Sequence, residues 1–289
     1  MTLTADPADT VAAPAARPRR RDRTFLTGAV LVGIVVAAAL VSLVWTPYDP
    51  LPVHAQERLT GPAAGHLLGT DSYGRDVLSL LMYGARISLL VGFTAVLIAT
   101  VLGVPTGVGA AMAGGRVEQV LMRATDVALA FPALLLTIVL GATFGAGTAT
   151  AAIALGIGAA PSFARVARSG TLQVMSREYV TAARAANRGP LWIAARHVLP
   201  NIAGLVIVQS SVAFAIAVLS EAALSYLGYG TRPPTPSWGV MLQDGQGFLY
   251  EHPMLVVWPG LAIALTVLGL NLLGDGLRDW LDPRMEGGR

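Results

Sequence analysis

The sequence predicts an all-α integral membrane protein of six transmembrane helices, with a short helical element projecting from its inner face between spans four and five. Three observations predict it: uncharged runs long enough to cross a bilayer, a scarcity of charge, and a one-sided distribution of arginine. Of 289 residues, 54% are hydrophobic and 13% charged, whereas a soluble globular chain is about 25% charged. Such a chain has membrane lipid as its solvent and first partner, and no nucleic-acid partner is expected.

A helix needs roughly 20 apolar residues to cross the hydrocarbon core. Five stretches, 25–46, 87–115, 127–164, 198–220 and 253–274, reach that length without Asp, Glu, Lys, Arg or His. The first belongs to a transmembrane helix over 24–46, preceded by a disordered Ala/Pro-rich tail, 1–23, that closes on Arg17, Arg19, Arg20, Arg21 and Arg23 beside the membrane. This run exceeds a signal-peptide core, and the A-x-A-like cleavage site that would follow such a core is missing where the run ends at Trp45 and Thr46, so the helix is expected to be retained. A loop over 47–84, rich in Pro, Gly, Tyr and His, follows it. The five-helix core is expected over 85–280 and a short tail over 281–289.

The run 127–164 is long enough for two passes, turning at the glycine-rich stretch 141–148. The first of the two is expected to begin near Val117. Arg123 and Asp126, one helical turn apart, should then pair at the inner boundary. Pro105, Pro132, Pro161 and Pro259 fall inside spans, where each frees a carbonyl and bends its helix. Gly103 with Gly107, and Gly141 with Gly145, have the small-xxx-small spacing that lets helices approach closely.

Six spans with an inside N-terminus put sixteen arginines in the inner segments and only Arg58, Arg75, Arg86 and Arg232 outside. That split obeys the positive-inside rule, whereas five or seven spans would put arginine clusters on the wrong side. Both termini are therefore expected in the cytoplasm. The outer face consists of the 47–84 loop, a second loop over 228–252 and a short turn near Gly145.

Lysine and cysteine are both absent. A phosphate-binding loop needs its lysine to reach the β- and γ-phosphates, so any ATP chemistry must lie on another chain. Without cysteine there is neither a disulfide nor a thiolate metal site. His54, His66, His197 and His252 are scattered without ligand spacing. A membrane-embedded enzyme would have to build its site from outer-loop residues such as His54, His66 and Asp71. A stand-alone channel or secondary transporter is the other rival.

The inner element, 176–198, is the most informative part. Residues 176–186 predict a short helix capped by Ser176, with Glu178 at the positive end of its dipole. Tyr179, Ala182, Ala183 and Ala186 share one small, flat face. Asn187 and Gly189 suit a left-handed turn, and Pro190 suits the first position of a second helix, 191–198, that Pro200 stops. Replacing Ala183 by Glu is expected to leave the chain inserted and to spoil that face for a partner.

The run EYVTAARAANRGPLWIAARHVLPN resembles the cytoplasmic "EAA" loop of ABC importer permeases, whose short helix fits a cleft in the ATPase subunit. Thr181 stands where that loop has its glutamate and Asn187 where it has its glycine; Asn is the best non-glycine substitute at a left-handed position. Three further strings carry the resemblance on both sides of the loop: LLGTDSYGRDVLSLLMYGARISLLVG from Leu67, RATDVALAFPALLL from Arg123 and EAALSYLGYGTRPPTPSWGVML from Glu221. NLLGDGLRDWLDPR from Asn271 extends it to the C-terminal region. Together these are similar to the second permease subunit of the dipeptide/oligopeptide/nickel branch, a bacterial cell (inner) membrane family.

The resemblance implies half of a translocation pathway for peptides or related solutes. It implies a homologous permease, two ATPase subunits and an extracytoplasmic substrate-binding protein as partners. No cofactor is expected on this chain, ATP and Mg belonging to the ATPases. The ATPase-coupling residues would be Tyr179, Thr181, Ala182, Ala183, Ala186, Asn187, Gly189 and Pro190. Inside the spans, Glu221 beside Ser220 is the main ionisable candidate for the pathway or its outer gate. The competing reading, a structural bond to a neighbouring helix or to outer-loop amides, is the usual fate of a membrane acid and is the favoured of the two.

Overall fold

The computed structural model describes residues 20–63 and 65–281, which form ten α-helices and, among the described residues, no β-strand beyond an isolated bridge between Thr70 and Asp76. The tails expected over 1–23 and 281–289 lie outside the described residues, except that residues 20–23 open the first helix and residue 281 closes the last.

Five helices are long and apolar enough to span a bilayer: α1 (Arg20–Ser42), α2 (Val77–Ala113), α5 (Thr148–Met175), α8 (Leu199–Tyr226) and α10 (Met254–Leu281). The stretch expected to make the sixth crossing is two helices, α3 (Gly115–Ala130) and α4 (Ala133–Phe144), which meet at 80° and together are long and apolar enough for one span. The break has a local cause. Pro132 disfavours the helical region for its predecessor, and here Phe131 has left it, at φ −89°, ψ 121°. Pro105, Pro161 and Pro259 sit inside helices that continue through them.

α2 starts well before the end expected for the 47–84 loop. Asp76 is the reason: its carboxylate accepts from the Ser79 backbone N–H at 2.8 Å and the Ser79 hydroxyl at 2.7 Å, an N-cap that nucleates the helix at Val77. His66 holds the other oxygen of Asp76 at 3.0 Å. The loop before it is an ordered cap, with the Tyr48 N–H donating to the Ser79 hydroxyl at 3.0 Å.

The helices run alternately between two ends of the bundle. One carries α6 (Glu178–Ala185) and α7 (Pro190–Ile193), and the other carries α9 (Trp238–Gly245). α2 and α5 pack closely where Gly103 and Gly107 face the α5 backbone; a Cβ on Gly103 would lie 2.5 Å from Phe163 Cβ. The paired Gly141 and Gly145 do not repeat this contact, since Gly145 is a turn residue at φ +91° with open space around it. α1 lies along α10, where a side chain at Gly276 would strike Phe25.

Two apolar clusters organise the ends. Val104, Val108, Phe163, Ala167, Val174, Val180, Ala183, Ile193, Val198 and Ile202 form the core nearest α6. Val77, Leu80, Ala222, Trp238 and Met241 form the one under α9, where the Trp238 indole donates to the Leu81 carbonyl at 3.0 Å. Leu, Val, Ile and Phe side chains remain exposed along all the spans, as lipid requires.

Candidate functional site

α6 forms from EYVTAARA, where small helix-favouring residues follow Glu178 in the first turn. Its cap differs from expectation. Arg177, extended at φ −82°, ψ 145°, is the N-cap without a side-chain bond, and the Ser176 hydroxyl instead donates back to the Gln173 carbonyl at 2.9 Å, closing α5. The C-terminus follows prediction. Asn187 sits at φ +57°, with Arg188 N–H to the Ala183 carbonyl at 3.1 Å and Asn187 N–H to the Arg184 carbonyl at 2.9 Å. This is a Schellman ending with Asn in the glycine position.

The structure divides the expected face of α6. Tyr179, Thr181, Ala182 and Ala186 are exposed, while Ala183, 9% exposed, turns inward with Val180 against Val174, Ile193 and Val198. Val180, the one branched aliphatic side chain in the helix, sets the buried stripe, and Ala183 one turn on must share it. Replacing Ala183 by Glu would therefore put a carboxylate into the core rather than spoil an outer face.

Gly189 is extended, at φ −67°, ψ 160°, and Pro190 starts α7 at its first position. The second helix does not stop at Pro200. Residues Ala194–Val198 form a π-turn, the Leu199 N–H reaching the Ala194 carbonyl, and the chain continues into α8 as a single helical rod, Pro190–Tyr226. The proline ring at 200 would clash with the carbonyl four residues back, and the wider turn accommodates it. Three residues here escaped the sequence reading. Leu191 is 85% exposed at the tip, Trp192 is exposed beside it, and His197 lies between the Tyr179 and Trp192 rings. A Leu-Trp pair inside a polar element, with an aromatic residue five positions on, was the available signal.

At the far end of the rod, Glu221 is 0% exposed. Its Oε1 accepts from the Ser225 hydroxyl at 2.6 Å and the Thr231 hydroxyl at 3.1 Å. Ser225 also accepts from the Thr231 N–H at 2.8 Å, and the hydroxyls of Thr231 and Thr148 meet at 2.9 Å. The Ser88 hydroxyl of α2 and Glu221 Oε2 are buried without a hydrogen-bond partner among the described residues, and the α9 N-cap Ser237 accepts from the Val240 N–H at 3.3 Å. Glu221 thus ties α8 to the segment leading to α9 and, through Thr231, to Thr148 at the start of α5. Ser220 beside it is half-buried and outside this network.

Between α3 and α5, at the α6 end, lies a cavity of about 520 Å³ lined by Gly115, Glu118, Met122, Asp126, Arg165 and Arg168. Asp126 pairs with Arg165 at 2.7 Å and Glu118 with Arg168 at 2.5 Å. The expected pair of Arg123 with Asp126 does not form. Arg123 is exposed, because a partner across the helix interface outcompetes a neighbour along the helix.

Above α9, Asp71 accepts from the Tyr73 and Arg75 N–H groups and from Arg75 Nε at 2.7 Å, while Arg75 Nη2 reaches Asp244 at 3.3 Å. Burial pushes the Asp244 carboxyl above its ordinary range, as does the neighbouring Asp71 charge, against the pull of Arg75. Asp71 and His66, two of the residues from which an outer catalytic site would be assembled, are thus committed to structural partners; the third, His54, donates its backbone N–H to the Tyr73 carbonyl.

A bundle of five long apolar helices and one bent pair, with a short helical element projecting from one end, defines a multi-span helical membrane protein. The chain shares its fold with a chain of the MetNI methionine ABC transporter solved in inward-facing conformations, at a TM-score of 0.58 and 18% identity, over 70% of this chain and 96% of that one. It belongs to the family of binding-protein-dependent transport system inner membrane components, whose pattern matches residues 103–287. The dipeptide transport system permease protein DppC of Escherichia coli K12 is 44% identical over 273 residues, covering 92% of this chain and 91% of that protein. A putative peptide transport system permease protein of Brucella abortus is 40% identical over 271 residues, 94% of this chain and 91% of the relative.

The protein is accordingly a multi-pass inner-membrane permease subunit of an ATP-driven importer. ATP hydrolysis belongs to separate subunits. The family implies a partner permease, ATPase subunits and a binding protein.

Proposed function

We propose that this chain forms half of the pathway for small peptides in an importer with a homologous permease, two ATPase subunits and an extracytoplasmic binding protein, and that α6 is the ATPase-docking helix. The peptide cargo is supported by the names of its relatives, among them dipeptide permeases. The observation that carries the docking assignment is the exposed, small-residue stripe of Tyr179, Thr181, Ala182 and Ala186. It is backed by Val180 and Ala183 in the core and joined through Asn187, Gly189 and Pro190 to the rod that carries Glu221 near its other end. A flat stripe stiffened from behind suits seating in a partner's cleft.

In this arrangement the α6 end and both termini face the cytoplasm, as the arginine split supports, and the 47–84 loop and α9 face outward toward the binding protein. The chain carries no cofactor of its own; ATP and Mg sit on the ATPases. For Glu221 the full burial and the Ser225 and Thr231 bonds support the structural role over the pathway role.

Replacing the exposed Ala182 by Glu tests the docking assignment. The ATPase subunits are expected to be lost from the purified assembly, and peptide uptake with them. An intact assembly with normal uptake would remove α6 from the interface. Uptake by this chain alone in proteoliposomes would favour a stand-alone transporter instead.

A further inference from the structure

We propose that His197 is a positioning residue for energy coupling, the strut that makes α6 and the Pro190–Tyr226 rod move as one body. The imidazole sits with its centroid 5.4 Å from the Tyr179 ring of α6 and 5.1 Å from the Trp192 ring, the latter edge-on at 76°. The Arg188 guanidinium covers Trp192 at 5.1 Å, and Asn201 Nδ2 donates to the His197 carbonyl at 2.7 Å. Four side chains from α6, its terminal turn and the base of the rod thus form one continuous stack.

The stack exists because of the π-turn. Residues five apart on a regular α-helix point about 140° away from each other, so Trp192 and His197 would diverge. The Ala194–Val198 π-turn, placed directly before Pro200, brings them to one side, where His197 meets Tyr179. Beneath the rings, Val180 and Ala183 anchor α6 to Ile193 and Val198, but an apolar contact resists sliding poorly. Rings stacked across the same junction add directional contacts that oppose rotation of α6 against the rod. A push on α6 then reaches α8, whose other end holds Glu221, without being absorbed at the junction.

This role rests on α6 being the docking helix, and the two are tested by different readouts. In the assembled importer, His197→Ala is expected to keep the ATPase subunits bound and hydrolysing while uptake per ATP falls by about tenfold, the range of coupling changes expected along such a connection. His197→Phe, which keeps a ring, is expected to restore most of that ratio. Trp192→Leu removes the other side of the stack at an exposed position and is expected to lower the ratio in the same direction. Unchanged uptake per ATP in both His197→Ala and Trp192→Leu would overturn the proposal, as would a Phe variant no better than Ala. Loss of the ATPase subunits from His197→Ala would also overturn it, by showing that the residue acts in docking. Failure of the docking assignment is seen separately, as an Ala182→Glu assembly that keeps its ATPases.

Discussion

The two ends of the Pro190–Tyr226 rod are built on opposite physical terms. Around Glu221 the contacts are polar and short: Oε1 of a fully buried carboxyl accepts hydroxyls from α8 and from the segment before α9, and Thr148 of α5 joins through Thr231. Around His197 the contacts are aromatic and partly exposed, with Tyr179 43% and Trp192 41% accessible. A buried polar network tolerates one geometry, since any departure leaves a polar group unpaired. Tilted and edge-on ring contacts are directional yet open to solvent on one side, which suits a junction that must take a load at the surface and pass it on. On the proposed coupling route, the difference suits one end to be a fixed anchor and the other a receiver.

The severest way to break this comparison is Ala183→Glu. It puts a carboxylate among Val174, Val180, Ile193 and Val198, where no partner exists. The cost is several kcal/mol, so the chain is expected to disappear from the membrane fraction in an immunoblot. Normal accumulation with loss of coupling would mean that Ala183 faces outward after all.

Glu221 offers a milder contrast. Glu221→Ala removes the acceptor of Ser225 and Thr231 and is expected to lower stability by about 3 kcal/mol, read as a fall in the Tm of the purified assembly. Glu221→Gln keeps the acceptor oxygen and is expected to leave uptake within about twofold of wild type for cationic, neutral and anionic peptides. A charge-dependent loss of uptake in the Gln variant, with unchanged Tm, would return Glu221 to the pathway.

The smallest effect concerns Asp244. With its carboxyl raised in the folded state, the group holds its proton to a higher pH than in the unfolded chain. It therefore adds stability in acid and loses that contribution as pH rises through the folded value. Asp244→Asn is expected to flatten the decline of Tm that wild type shows as pH rises above the ordinary carboxylate range. Parallel Tm curves for the two proteins would show that Arg75 already offsets the burial of Asp244.

The fold class was legible because its signals are local. Run length identifies a span, arginine position suggests its orientation, and Asn187 marks a left-handed turn whatever surrounds it. Part of the site was legible for the same reason: the helix over α6, its Asn-closed end and the start at Pro190 all follow from neighbouring residues. Ser176 misled, since a hydroxyl between two helices can close the first as well as cap the second. Pro200 misled too, because a proline stops a helix only where the preceding turn cannot widen.

The sequence by itself determined that this is a helical membrane protein with a projecting element and no nucleotide loop, because charge, length and residue type act where they stand. Only the tertiary structure decided which side of α6 is free, that Asp126 answers to Arg165 rather than Arg123, and that Glu221 is an anchor. Each of these depends on a partner from a distant segment. A side chain's pattern along its own helix cannot reveal which distant partner folding brings to it.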